Sequence, residues 1–293
     1  MKMIFDDNCI EYWSRWKALN SKKFDDMIKQ NENISIFIKT ADDRRRNVIN
    51  LSNLSSILTE RNFWEKFVIC LISSQSYSGS ESLLQTLVEE NNEILNPLSK
   101  FYLDKNNSEG DLCSSLEDCL TDPKVRQGRK GVRFVKKFSK CIASAWFILF
   151  KHEQIKYYLN EIYSVYSKIC YKTEEDKRFN ELLITAMLGL LPGIGLKQSR
   201  NILQYLGISQ RVIPIDSRWC DLLEDDNFRP KEMDNNLRHI FNYIIDKNSR
   251  DRLWQNKRDY FVLEEFLLCV GQRLDMEPYL LDAFMFAGQE LKN

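Results

Sequence analysis

Histidine is nearly missing from this chain of 293 residues, which holds only His152 and His239. Its eight cysteines, at positions 9, 70, 113, 119, 141, 170, 220 and 269, form no C-x-x-C pair and no cluster near the C-terminus. Zinc and iron–sulfur sites are built from such clusters, so the expectation is no metal and no cofactor. Scattered cysteines inside apolar helical patterns read as reduced, buried thiols. No stretch approaches the roughly 18 uncharged apolar residues of a membrane span, and MKMIFDDNCIEYW lacks the apolar core of a signal peptide. A soluble, cytoplasmic protein without a membrane partner is expected. With six Pro and ten Gly against 43% hydrophobic residues, the composition is that of a globular, helix-rich chain rather than a fibrous or disordered one.

Net charge is also missing, because 42 basic residues balance 42 acidic ones. The distribution is less even than the sum. The segment PKVRQGRKGVRFVKKFSK carries eight Lys or Arg between Lys124 and Lys140 and no acid, and it follows an acidic stretch, 104–122, that reads as a loop. A neutral total therefore conceals a basic face.

Apolar periodicity gives mainly helices. In NFWEKFVICLISSQ, residues Phe63, Trp64, Phe67, Val68, Leu71 and Ile72 share one face, which predicts a buried helix. Ser and Gly in SSQSYSGS break it. Helical spacing then recurs to the C-terminus, with no repeat at solenoid period. The opening 60 residues are less regular: CIEYWSRWKAL is helical in spacing, whereas ISIFIKT alternates like a short strand, placing a small β element near residues 34–40. The expected organisation is an N-terminal extension of uncertain fold over 1–60 and an all-α domain over 61–293.

One stretch stands apart, LPGIGLKQSRNILQYLGISQRVIPIDSRW, residues 191–219. Pro192 ends the preceding helix, and Gly193 and Gly195 permit the positive φ that a tight helix–helix turn requires. Glycines also leave backbone N–H groups open, so the turn and the N-terminus of the helix over 197–206 can receive a phosphate. Gly207 closes that helix. Lys197 and Asp216 stand nineteen residues apart around it.

The pair PGIGLK and IPID resembles the helix-hairpin-helix DNA glycosylase superfamily, which includes endonuclease III and the 8-oxoguanine DNA glycosylases; the segments described next match the latter. The resemblance implies two helical lobes with an active-site cleft between them and a hairpin at 191–197. It implies a bifunctional glycosylase and AP lyase acting on double-stranded DNA with a damaged or modified base, most specifically an 8-oxoguanine-type purine. Lys197 takes the place of the lysine nucleophile and Asp216 that of the catalytic aspartate. The chemistry needs both: a neutral amine attacks the sugar C1′, while a carboxylate stabilises the cation formed as the base leaves. The resulting imine acidifies the C2′ proton and allows β-elimination. A chain of this kind in a prokaryote would be nucleoid-associated.

Three further segments agree with the resemblance. FVICLISSQSYS is similar to the family's wedge region and gives Gln75 the place of the amide that fills the gap left by an extruded base. In GVRFVKKFSKCI and the residues before it, Arg126, Arg129, Lys130 and Arg133 are implied along DNA phosphates. The tail YLLDAFMFAGQELKN offers Phe284 and Phe286 as base-pocket aromatics. Departures are Ser217 and Arg218, where the family commonly has Thr or Val and then His. Two other readings remain: a glycosylase-fold DNA-binding or assembly protein without excision activity, using residues 1–60 to reach a protein partner, and a hairpin serving only as a phosphate-binding module.

Overall fold

The computed structural model describes residues 3–30, 39–43, 54–73, 84, 86–88, 90, 92–104, 108–122, 134–168, 173–209, 211–246 and 248–290. The fold is mainly α. Its longer helices are α1 (Asp7–Gln30), α2 (Glu60–Ser73), α3 (Glu109–Thr121), α4 (Val135–Trp146), α5 (Ile155–Lys168), α6 (Glu174–Leu188), α7 (Leu196–Tyr205), α8 (Ser217–Leu223), α9 (Asn235–Ile245), α10 (Lys257–Arg273) and α11 (Pro278–Glu290). Among the described residues one sheet occurs, β1 (Met3–Ile4) antiparallel to β2 (Glu232–Met233), with Met3 opposite Met233. The β element expected near 34–40 falls largely outside the described residues; Lys39 and Thr40 are helical. No described helix is long and apolar enough to cross a membrane.

The chain forms two units, one of Met1–Asp42 with Ser209–Asn293 and one of Asp43–Ile208. The first 42 residues thus belong with the C-terminal segment. Their helix explains why. On α1, Cys9, Trp13, Trp16, Asn20 and Phe24 recur at helical spacing and are all buried, forming one stripe. The Trp13 ring meets Trp16 and Phe228 edge-on, at 5.5 and 4.9 Å between centroids. Phe24 lies 5.4 Å from Phe284 of α11. Burying each such ring contributes roughly 1.5–3 kcal/mol, enough in sum to fix the helix. Gly288 permits the close approach of α11, since a Cβ there would stand 2.4 Å from Asn20 Oδ1.

In the second unit α2 buries Phe63 and Trp64 in its first half and every residue from Phe67 to Ile72 in its second. Its aromatics join Tyr102 and Trp146, whose rings stack at 5.5 Å. The polar tips are satisfied by carbonyls of the 93–97 segment: Trp64 Nε1 and the Tyr102 hydroxyl both donate to the Ile94 carbonyl, at 3.1 and 2.7 Å. Trp146 Nε1 donates to that of Pro97 at 2.9 Å. Pairing these groups avoids the cost of burying them bare.

The acidic stretch corrects the expectation of a loop. Residues Glu109–Thr121 are helical. Ser108 caps them by accepting the Asp111 N–H at 3.1 Å, and Leu112, Leu116 and Leu120, four apart, are buried. The acids at 109 and 111 lie in the first turn, where a helix dipole favours them. Composition alone obscured a short amphipathic helix, which packs against α4.

Candidate active site

The hairpin belongs to the second unit. Helix α6 ends at Leu188, capped by Gly189, so it stops before Pro192 rather than at it. Ile194 N–H then donates to the Leu191 carbonyl at 3.1 Å, closing a β-turn with Pro192 and Gly193 at its centre. Gly193 has φ +79°, the value that the third position of a type II turn requires. Any side chain there would also collide, because a Cβ would lie 2.8 Å from Cys141 Sγ and 3.0 Å from Leu71 Cδ2. The turn is thus seated on α2 and α4.

Gly195 differs from expectation. Its φ is −104°, and it serves as the N-cap of α7 with no side-chain cap hydrogen bond. What its missing side chain provides is open first-turn N–H groups, not a left-handed backbone. The far end of α7 behaves as expected. Gly207 has φ +73°, its N–H reaches the Gln204 carbonyl at 2.8 Å, and Ile208 N–H reaches that of Leu203 at 3.0 Å, a Schellman closure.

Lys197 is the second residue of α7 and is half-buried. Beneath it the fully buried Cys70 thiol donates to the Gln198 carbonyl at 3.3 Å. Burial pushes that thiol up to about 12, with the Lys197 charge acting in the opposite sense. Lys197 therefore neighbours a neutral thiol rather than a thiolate. On α4 next to the turn, Lys136, Lys137 and Lys140 are exposed, and the charges of Lys137 and Lys140 reach Cys141, whose Sγ faces Gly193. The hairpin accordingly sits beside a basic helix face.

Asp216 belongs to the first unit, as the N-cap of α8. The segment before it is fixed from α10. Pro214 has no N–H to satisfy, while Ile213 N–H donates to Glu264 Oε1 and Ile215 N–H to the Tyr260 hydroxyl oxygen, both at 2.7 Å. Ile213, Ile215, Tyr260 and Glu264 are buried. The carboxylate is then gripped by Arg218. Oδ1 accepts the Arg218 backbone N–H and Nε at 3.0 Å each, and Oδ2 accepts Nε at 2.8 Å and Nη2 at 2.5 Å. The side chains are 13% and 17% exposed. The guanidinium carbon lies 4.7 Å from the Phe286 ring centroid.

Phe286 thus faces Arg218, and Phe284 is a core residue against Phe24. Gln75, Arg126, Arg129, Lys130 and Arg133 lie outside the described residues. Sequence reasoning did not find Tyr260, Glu264 or the part played by Arg218. A signal existed for two of them: Tyr260 and Glu264 stand four apart on one helix, in line with the apolar Leu263 and Leu267, a spacing that aims both at one partner. Among the described residues, no three His, Cys, Asp or Glu side chains are grouped to hold a metal.

No family model matches this chain, and no curated protein sequence does. Among solved structures, the Methanocaldococcus jannaschii 8-oxoguanine glycosylase/lyase, crystallised with a 15mer DNA containing 8-oxoguanine, is similar over 86% of this chain and 96% of its own, at 14% identity and a TM-score of 0.46. A likeness that loose leaves the function to be argued from this chain's own residues.

Proposed function

We propose that this protein is a DNA glycosylase with AP lyase activity on double-stranded DNA carrying a damaged or modified base, an 8-oxoguanine-type purine in the first instance. The observation that carries the reading is the build of the α7 N-terminus. A side-chain-free N-cap at Gly195 and a half-buried Lys197 in the first turn stand next to a turn seated on α2 and on α4, the helix that carries the exposed Lys136, Lys137 and Lys140. Open N–H groups and a positive face suit a phosphate backbone.

In this reading the neutral Lys197 amine attacks C1′ as the bond to the base breaks. The base leaves with the bonding pair and takes up a proton. Asp216 stabilises the positive charge on the sugar at that moment. The amine then loses a proton as the C1′–O4′ bond opens and O4′ is protonated, giving an imine. Removal of a C2′ proton expels the 3′ phosphate, and water releases the lysine. Gln75 would fill the vacated stack, and Arg126, Arg129, Lys130 and Arg133 would hold phosphates.

A panel of duplexes with single lesions, treated with borohydride, tests this. Wild type should form a covalent adduct with at least one, and Lys197→Gln should form none. An adduct of undiminished yield with Lys197→Gln removes the lysine from the mechanism. The exposed lysines of α4 beside the hairpin also suit a second reading, a DNA-binding protein of this fold without excision activity. Tight binding across the panel, abasic DNA included, with no cleavage and no adduct would select it.

A further inference from the structure

We infer that Arg218 is a positioning residue that fixes the Asp216 carboxylate for its role in catalysis; the catalytic half of this inference rests on the glycosylase reading. Three donors from one residue converge on two oxygens: the backbone N–H, Nε and Nη2. The guanidinium carbon itself lies over the Phe286 ring, a contact that helps to hold the fork in place for the carboxylate. A carboxylate offers about four lone-pair directions, and here each oxygen accepts two contacts from Arg218. Its dipole cannot reorient while a cation develops, which is the condition for electrostatic stabilisation without reorganisation.

The Asp216 pair also assigns Phe286 a definite task. One face of the ring is taken by Arg218, so Phe286 acts as the floor of the ion pair rather than as an open platform. Arg250 pairs with Asp221 and Glu224 at the far end of the helix, away from the cap.

The experiment compares Arg218→Gln and Arg218→Lys with wild type. With a lesion the wild type excises, single-turnover rates at saturating DNA should fall on the order of 10²-fold for Arg218→Gln, with the DNA dissociation constant unchanged. Arg218→Lys should recover only part of that loss, since an ammonium keeps the charge without the fork. A second readout needs no activity: carboxyl-carbon NMR titration of Asp216 in the DNA-free protein. Its midpoint should rise in Arg218→Gln.

The charge of Asp216 reaches Cys220 on α8, on which Arg250, Asp221 and Glu224 also act; from α10 and α11, Tyr260, Glu264 and Asp282 are engaged with the Ile215 N–H, the Ile213 N–H and Trp219 Nε1. Burial holds the Cys220 thiol at about 12, so it stays neutral through the titration. An unshifted Asp216 midpoint in Arg218→Gln overturns the proposal whether or not any lesion is excised. So does an undiminished rate, or a weakened affinity at unchanged rate. A wild type that excises nothing while the midpoint shifts refutes the enzyme reading alone and leaves Arg218 as the brace of Asp216.

Discussion

The indole N–H of Trp13 donates to the carbonyl of Phe228 at 3.0 Å, across 215 residues of sequence. That bond, inside a cage of aromatic rings, ties the start of the chain to its C-terminal half. Deleting residues 1–30 should therefore leave no cooperatively folded protein. Trp13→Ala should cost about 3–5 kcal/mol, read from urea unfolding followed by far-UV circular dichroism. A truncated chain that melts like wild type would show α1 to be a dispensable appendage.

The two hairpin glycines should separate cleanly on substitution. Gly193→Ala places a Cβ at φ +79° and within 3.0 Å of Cys141 and Leu71, so a loss of about 1–3 kcal/mol is expected from backbone strain alone, with the collision added. Gly195→Ala meets only the end of the Gln198 side chain, at 3.2 Å, on a backbone that any residue adopts. Its cost should be below about 1 kcal/mol. Denaturation midpoints decide; equal losses at the two positions would contradict the turn geometry.

The difference between those glycines also marks how far the sequence could be read. PGIG announced a tight turn, Gly207 a helix stop, and the apolar face of α2 a buried helix, because each depends on residues within a few positions of one another. The φ of Gly195 depends instead on how the turn is seated, which no local pattern encodes. The same holds for α1: its stripe of Trp13, Trp16 and Phe24 was readable as helical, but its partners lie at Phe228, Trp219 and Phe284. The helix Glu109–Thr121 was obscured by its acids, although Leu112, Leu116 and Leu120 carried the period. Arg218 gave no sign of its role, since a charge two residues past an N-cap reads as solvated.

Asp216 holds two duties, cap and charge, and they can be parted. Asp216→Asn keeps an acceptor for the Arg218 N–H and should retain most of the stability, while Asp216→Ala should lose about 0.5–2 kcal/mol with the cap. Excision should fail in both. Thermal melts alongside single-turnover assays give the answer, and full activity in Asp216→Asn would remove the carboxylate from the chemistry.

The final prediction concerns the buried acceptors behind Asp216. Ile215 N–H is buried and its acceptor is the Tyr260 hydroxyl. Tyr260→Phe keeps the ring's volume but strands that N–H, at a cost of about 1–3 kcal/mol. Glu264→Gln retains an amide oxygen for Ile213 N–H and should cost less, whereas Glu264→Leu retains none and should cost as much or more. Amide exchange at Ile215 should quicken in Tyr260→Phe and stay slow in Glu264→Gln. Because Ile215 immediately precedes Asp216, loosening it frees the carboxylate's backbone, and excision should slow in Tyr260→Phe without a change in DNA affinity. A variant that loses the predicted stability yet excises at the wild-type rate would mean that Arg218 alone suffices to hold Asp216 in place.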